Sequence, residues 1–307
     1  MLQKIYSEIL NYFPIYIKEK FVNVPEEIWD KAKEIRIRNN KPIMICCFDD
    51  YVEVDHFATV EDILRLIENF SENSLYKVQN EINSGFLTIR GGHRIGLSGT
   101  SIIEKGEIKN IKYISSLNIR IAREVKECSD KILNCILENQ EDNNVLKNTI
   151  IISPPGCGKT TLLRDIIRRL SDGDEKIKPQ TIGLVDERSE IAAMYMGQAQ
   201  NDIGLRTDVM DACKKNIAMK LMIRSMGPDF IATDEIGTKE DMDAILDAVS
   251  SGINLLVTCH GNSVNDIPKD LLEKKIFENV VILSKAKKPG NIEKIYKLKG
   301  EEYVSVY

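Results

Sequence analysis

The run Ile150-Ile151-Ile152-Ser153-Pro154-Pro155-Gly156-Cys157-Gly158-Lys159-Thr160-Thr161-Leu162-Leu163 constrains this chain more than any other stretch. An apolar strand turns through a glycine loop into a helix pattern that begins at Lys159, which is the context a phosphate-binding loop requires. Gly156 and Gly158 let the backbone approach an anion and turn its N–H groups inward. Lys159 supplies a point charge for the outer phosphates, and Thr160 a hydroxyl for Mg²⁺. Residues Ser153, Pro154, Pro155, Gly156, Cys157, Gly158, Lys159, Thr160 and Thr161 are therefore the expected nucleotide-binding set. Ser153 stands where the general pattern begins with glycine. Either it is strained at positive φ, at a cost of about 1 kcal/mol or more, or its backbone is ordinary.

A phosphate loop alone specifies only a nucleotide, so the strand ends downstream carry the chemistry. Phe230-Ile231-Ala232-Thr233 runs into Asp234-Glu235. Asp234 is placed to hold Mg²⁺ through water, and Glu235 to orient or deprotonate an attacking water. The two acids could instead cap the helical pattern Thr238–Ser250. Thr181–Val185 runs into Asp186-Glu187-Arg188-Ser189-Glu190, and Ile253–Val257 into Thr258-Cys259-His260-Gly261. In open α/β sheets ligands bind at the carboxyl ends of strands, so these polar tips point at one crevice. His260 reads either as a γ-phosphate sensor or as a hydrogen-bonded loop histidine.

At 307 residues the chain is long enough for two domains. The net charge of −5 is shared by both halves, so neither is a basic platform for nucleic acid. The lysine-rich run 285–299 is a local exception. It reads as a solvated hairpin edge, where lysines discourage sheet pairing, or as a nucleic-acid contact. Seven cysteines show no paired metal spacing and read as reduced thiols of a cytoplasmic protein. The N-terminal residues lack a signal-peptide core, and no apolar run approaches the length that spans a bilayer.

Before the nucleotide domain the pattern is α+β. Glu34–Arg38 and the strand from Ile43 flank a turn, Thr59-Val60-Glu61-Asp62 resembles a capping box opening a helix to about Phe70, and a second helix ends near Gly85. Short strands broken by glycine follow, and Glu124–Asp130 reads as a linker to a helix at Lys131–Asn139. Arg90, His93 and Arg94 around Gly91-Gly92 form either a structural tight turn or an anion site.

Glu34-Ile35-Arg36-Ile37-Arg38, Gly91-Gly92-His93-Arg94-Ile95-Gly96, Ser115-Ser116-Leu117-Asn118-Ile119-Arg120-Ile121-Ala122-Arg123-Glu124, Asp186-Glu187-Arg188-Ser189-Glu190, Leu205-Arg206-Thr207-Asp208-Val209 and Thr233-Asp234-Glu235-Ile236-Gly237 together resemble the stage III sporulation protein AA family. That family is similar to the ATPases of type II and type IV secretion and pilus assembly. The resemblance implies a RecA-like P-loop ATPase domain over 129–307 behind a smaller α+β N-terminal domain over 1–128. It implies a hexameric ring using ATP and Mg²⁺. It implies a cytoplasmic mother-cell motor held at the membrane by proteins of a secretion-like complex facing the forespore.

By the same resemblance Gly158, Lys159 and Thr160 match the phosphate loop, Asp234 and Glu235 the Walker B end, Glu187 the acidic box and His260 the histidine box. Secretion ATPases commonly have glycine where Asp234 stands, which favours Glu235 as the catalytic carboxylate and Asp234 as the metal ligand. Arg120 and Arg123 resemble arginines that reach toward nucleotide in ring ATPases, or else pair with local acids. Two other readings stay open, a nucleic-acid-stimulated ATPase and a nucleotide-binding assembly scaffold.

Overall fold

In the computed structural model the described residues are all but 1–4, 6, 48–49, 73, 75–77, 84, 105–106, 138–145 and 285–289. They form two compact units, Met1–Arg123 with Ala193–Gln200, and Glu124–Ala192 with Asn201–Tyr307.

The first unit is built on a six-stranded antiparallel sheet: β1 (Glu34–Arg38), β2 (Lys41–Cys46), β3 (Tyr51–Ala58), β4 (Phe86–Ile89), β5 (His93–Glu104) and β6 (Glu107–Arg120), in the order β3-β2-β1-β6-β5-β4. Alternation decides which face is buried, because successive side chains in a strand point to opposite sides. Ile35, Ile37, Ile43, Ile45, Ile95 and Ile119 are fully enclosed with Ile63, Leu66 and Phe70 of the helix Val60–Phe70. Each such side chain is worth about 1.5–3 kcal/mol when buried. Thr59 and Asp62 form the expected reciprocal capping box.

The glycine turn between β4 and β5 is held by local contacts. Gly91 and Gly92 take φ of 85° and 76°, His93 is 2 % exposed and accepts the Ala122 N–H at Nδ1, and the Arg94 guanidinium lies 3.6 Å over the Phe86 ring.

The second unit's chain re-enters the first over Ala193–Gln200, as a hairpin of β7 (Met194–Tyr195) and β8 (Gln198–Ala199). Met196 and Gly197 both have positive φ, as a two-residue hairpin turn demands. Gln200 Oε1 then accepts the Gly91 N–H, and the Tyr195 hydroxyl donates to Glu72.

The second unit holds an eight-stranded sheet. Its strands are β9 (Thr149–Ser153), β10 (Ile182–Asp186), β11 (Thr207–Asp211), β12 (Phe230–Thr233), β13 (Asn254–His260), β14 (Asn279–Ser284), β15 (Asn291–Lys299) and β16 (Glu302–Ser305). Their order is β11-β10-β12-β13-β9-β14-β15-β16, parallel from β11 to β14 and antiparallel beyond. Strands β9, β10 and β12 are buried at every residue, as expected of parallel strands covered on both faces. Because they run in parallel, the carboxyl ends of β9, β10, β12 and β13 share one edge. His260 is in register with Ser153, and Thr233 with both Val185 and Val257.

Two local expectations change. β15 is paired on both sides, by β14 and β16, so it is an interior strand and not the edge. Lys285, Lys287 and Lys288 lie outside the described residues. The segment Glu124–Asp130 is tied within the second unit and does not hang free. Buried Asp165, on the helix Lys159–Asp172, accepts the N–H groups of Glu127 and Ser129 and the Ser129 hydroxyl.

Candidate functional site

The glycine loop between β9 and the next helix takes the backbone its residue types require. Gly156 and Gly158 take φ of 73° and 87°, and Gly158 caps the helix Lys159–Asp172, whose free N–H groups face the loop. Ser153 is the last residue of β9, in extended backbone and fully buried, so no strain arises where the general pattern has glycine. Cys157 is buried behind the loop, and its carbonyl accepts the Gly290 N–H.

Lys159, 7 % exposed, turns back over the strand tip. Its Nζ lies 3.3 Å from the Ser153 carbonyl and 3.1 Å from His260 Nδ1. On the far side of the ring, His260 Nε2 is 3.1 Å from Glu235 Oε1. An ammonium only donates, so Nδ1 is the acceptor of the Lys159 contact, while Nε2 faces the Glu235 carboxylate at ion-pair distance. Burial lowers the Lys159 pKa, against the pull of Glu235 and Asp234.

Glu235 is held from three directions. Arg188 Nη1 is 3.0 Å from its second oxygen, and its backbone N–H donates to the Thr258 hydroxyl at 2.9 Å. Its φ of 39° is a left-handed conformation that costs a non-glycine residue about 1–3 kcal/mol. The neighbouring Ile236 N–H bonds to the Thr258 carbonyl, so β13 fixes this turn at two points. Asp234 and Glu235 do not cap the next helix. That role falls to Thr238 and Asp241, which form a capping box before Lys239–Ser250.

Asp234 is 3 % exposed, and its buried Oδ1 accepts no hydrogen bond among the described residues. Burial pushes its carboxyl up to about 6, with Lys215 acting against the shift. A hard oxygen donor left without a hydrogen bond at the strand tip suits Mg²⁺, which takes one or two protein oxygens together with phosphates. The residues present therefore fit the ion.

Glu187 follows β10 and pairs with Lys215 Nζ at 2.6 Å. Asp186 before it is fully buried, and its carboxylate accepts the N–H groups of Glu190, Ile191 and Ala192. Arg164, on the phosphate-loop helix, donates to the carbonyls of Glu190 and Ile191, which fixes this loop to the helix.

The strand tips thus bring together Lys159, Asp234, Glu235, Glu187 and His260, all within the second unit. Arg120 and Arg123 belong to the first. Arg120 is exposed at the end of β6, whereas Arg123 spends its guanidinium on the carbonyls of Trp29, Asp30 and Ala32 at the end of the helix Glu26–Lys31. The sequence reading did not single out Arg188 or Lys215 as site residues. Arg188 lay in the polar cluster after β10 and could have been included. Lys215 is one of two adjacent lysines, and nothing local separates the buried one from the solvated one.

The mixed α/β fold of this chain is one that solved ATPases share. The ATPase DotB from Legionella pneumophila matches with a TM-score of 0.55 at 15 % identity, over 95 % of this chain and 79 % of that one. The pilus retraction motor PilT, solved with ADP, matches with a TM-score of 0.58 at 16 % identity, over 97 % and 81 %. The family model described as "Sporulation stage III, protein AA" matches residues 6–303, and the chain belongs to that family. Stage III sporulation protein AA of Bacillus subtilis (strain 168) is 40 % identical over 299 residues, covering 96 % of each chain. No helix among the described residues is long and apolar enough to cross a membrane.

Proposed function

We propose that this protein is the ATP-hydrolysing motor of a secretion-like complex working between mother cell and forespore during endospore formation. The observation that carries the reading is the line of polar contacts Lys159–His260–Glu235, which runs from the loop lysine to a carboxylate at the tip of the adjacent strands.

In this reading the loop Ser153–Thr161 wraps the phosphates of ATP and Lys159 meets the outer ones. Thr160 and Asp234 would hold Mg²⁺, Asp234 through water, and the ion would supply positive charge against the phosphates. Glu235 accepts the proton of the attacking water, and Arg188 and His260 aim its two oxygens. Glu187 supplies the second acid. His260 senses the γ-phosphate, because any movement of Lys159 toward phosphate pulls on the ring that also touches Glu235. The second unit is read as a RecA-like domain, and the chain as one subunit of a hexameric ring docked on membrane proteins. Arg120, exposed on the first unit, is the arginine available to a neighbouring subunit's phosphates, and Arg123 is the weaker candidate because its donors are committed.

An arginine supplied by a neighbour is worth about 10³–10⁵ in rate in phosphoryl transfer. Specific ATPase activity should then climb with protein concentration, and mixing Arg120→Ala with Glu235→Gln protein should restore part of the activity that each lacks. Flat specific activity from dilute monomer upward would remove the ring. A rate raised severalfold by single-stranded DNA in a salt-sensitive way would favour a nucleic-acid-stimulated ATPase.

A further inference from the structure

Lys215 opens the helix Lys215–Ser225 and is 6 % exposed. Both facts are unfavourable for an ammonium. Burial strips its water, and the first turn of a helix carries the positive end of the backbone dipole, where acids are the favoured residues. This first turn has no acid, and Lys214 precedes it. What holds the charge is a pair of carboxylates from two different strands: Glu187 Oε2 at 2.6 Å and Asp234 Oδ1 at 3.8 Å. The second of these is the oxygen that accepts no hydrogen bond among the described residues. Glu187 is about a third exposed, so the buried end of the arrangement is Lys215 with Asp234.

We propose that Lys215 is a positioning residue that competes with the metal: one buried ammonium neutralises Glu187 and Asp234 together, and Mg²⁺ arriving with the nucleotide must win Asp234 from it. The inference rests on the nucleotide site proposed above and adds to it a residue that sets how much Mg²⁺ the site needs. The contact to Glu187 is short and that to Asp234 long, so the ammonium can withdraw toward Glu187 when a divalent charge arrives without leaving its own charge unpaired. Glu187 in this arrangement is the ammonium's retreat as well as an acid of the site.

The test uses the full chain, a fluorescent ATP analogue and a Mg²⁺ titration of its binding, read beside thermal unfolding with and without Mg²⁺. Lys215→Met removes the competing charge at nearly constant volume. The half-saturating Mg²⁺ concentration should fall about tenfold, the direction and least size expected when a unit charge a few ångströms from the ion is deleted. The rise in unfolding temperature on adding Mg²⁺ with nucleotide should be larger than in the unmodified protein, because the ion then relieves a buried Asp234 that has lost its ammonium. Lys215→Arg, which keeps the charge, should stay near the original midpoint. Should Lys215→Met not fold, Glu187→Gln gives the opposite sign: an ammonium freed from Glu187 holds Asp234 harder, and the Mg²⁺ midpoint rises. An unchanged or higher midpoint in Lys215→Met, or an unchanged or lower one in Glu187→Gln, overturns the proposal. A protein that binds Mg²⁺ and nucleotide without hydrolysing it contradicts the motor reading and leaves this test standing, whereas one that binds no nucleotide overturns both.

Discussion

His260 Nε2 lies 3.1 Å from Glu235 Oε1, while Nδ1 of the same ring lies 3.1 Å from Lys159 Nζ. One imidazole therefore connects the lysine proposed to meet phosphate with the carboxylate proposed to act on water. His260→Ala should lower turnover about 10–100-fold, the usual loss when a partner that orients a working carboxylate is removed. Nucleotide affinity should change far less, because Lys159 keeps its charge. His260→Gln, which retains an N–H near the Nε2 position, should recover part of the rate. Steady-state phosphate release beside equilibrium nucleotide binding separates the two effects, and equal losses in both would assign His260 to binding.

Arg120 and Arg123 should separate by assay. Arg123 donates to three backbone carbonyls, so Arg123→Ala should cost about 1–2 kcal/mol of stability, discounted for its exposure. A urea midpoint reads this. Arg120→Ala should leave that midpoint unchanged and lower ATPase activity in the assembled protein. The reverse pattern would exchange their assignments.

Asp165 supplies the pH dependence. Burial pushes its carboxyl up, but hydrogen bonds from Ser129, Arg168 and the Glu127 N–H outweigh this and hold the pKa below its ordinary 3.8. A carboxyl lowered on folding contributes stability that is present above its unfolded pKa and is lost as pH falls through the folded value. Asp165→Asn should therefore cost about 1.5–3 kcal/mol near neutral pH, and the gap to the unmodified protein should narrow below about pH 4. Denaturant midpoints at pH 7 and pH 3 measure it. A gap that widens on acidification would contradict the assignment.

The glycine loop and the acid-tipped strands were legible because their signals are local. Glycines at positive φ, a lysine opening a helix and an apolar strand before them all fall within one short stretch. His260 could be placed beside the acids because β13 is an apolar strand with a polar end, and it does pair with β12. Three other features depend on partners far along the chain. The excursion Ala193–Gln200 looks like an ordinary turn until Gln200 is seen to accept the Gly91 N–H. Lys215 becomes distinctive only beside Glu187 and Asp234. The role of Arg123 rests on carbonyls more than ninety residues earlier. β15 was misjudged as an edge for the same reason, since composition shows solvated lysines and cannot show β16 pairing beyond them.

Glu235 is proposed to work on water and not on nucleotide, and Glu235→Gln separates the two. The substitution keeps the side chain's size and its contact with Arg188's side of the site but removes the base. ATP binding should remain within about threefold of the unmodified protein, while phosphate release from saturating Mg²⁺ and ATP falls by about 10²-fold or more, the size expected for loss of a positioned base. Phosphate release by Glu235→Gln at the rate of the unmodified protein would contradict the account and move the search for the base to Glu187.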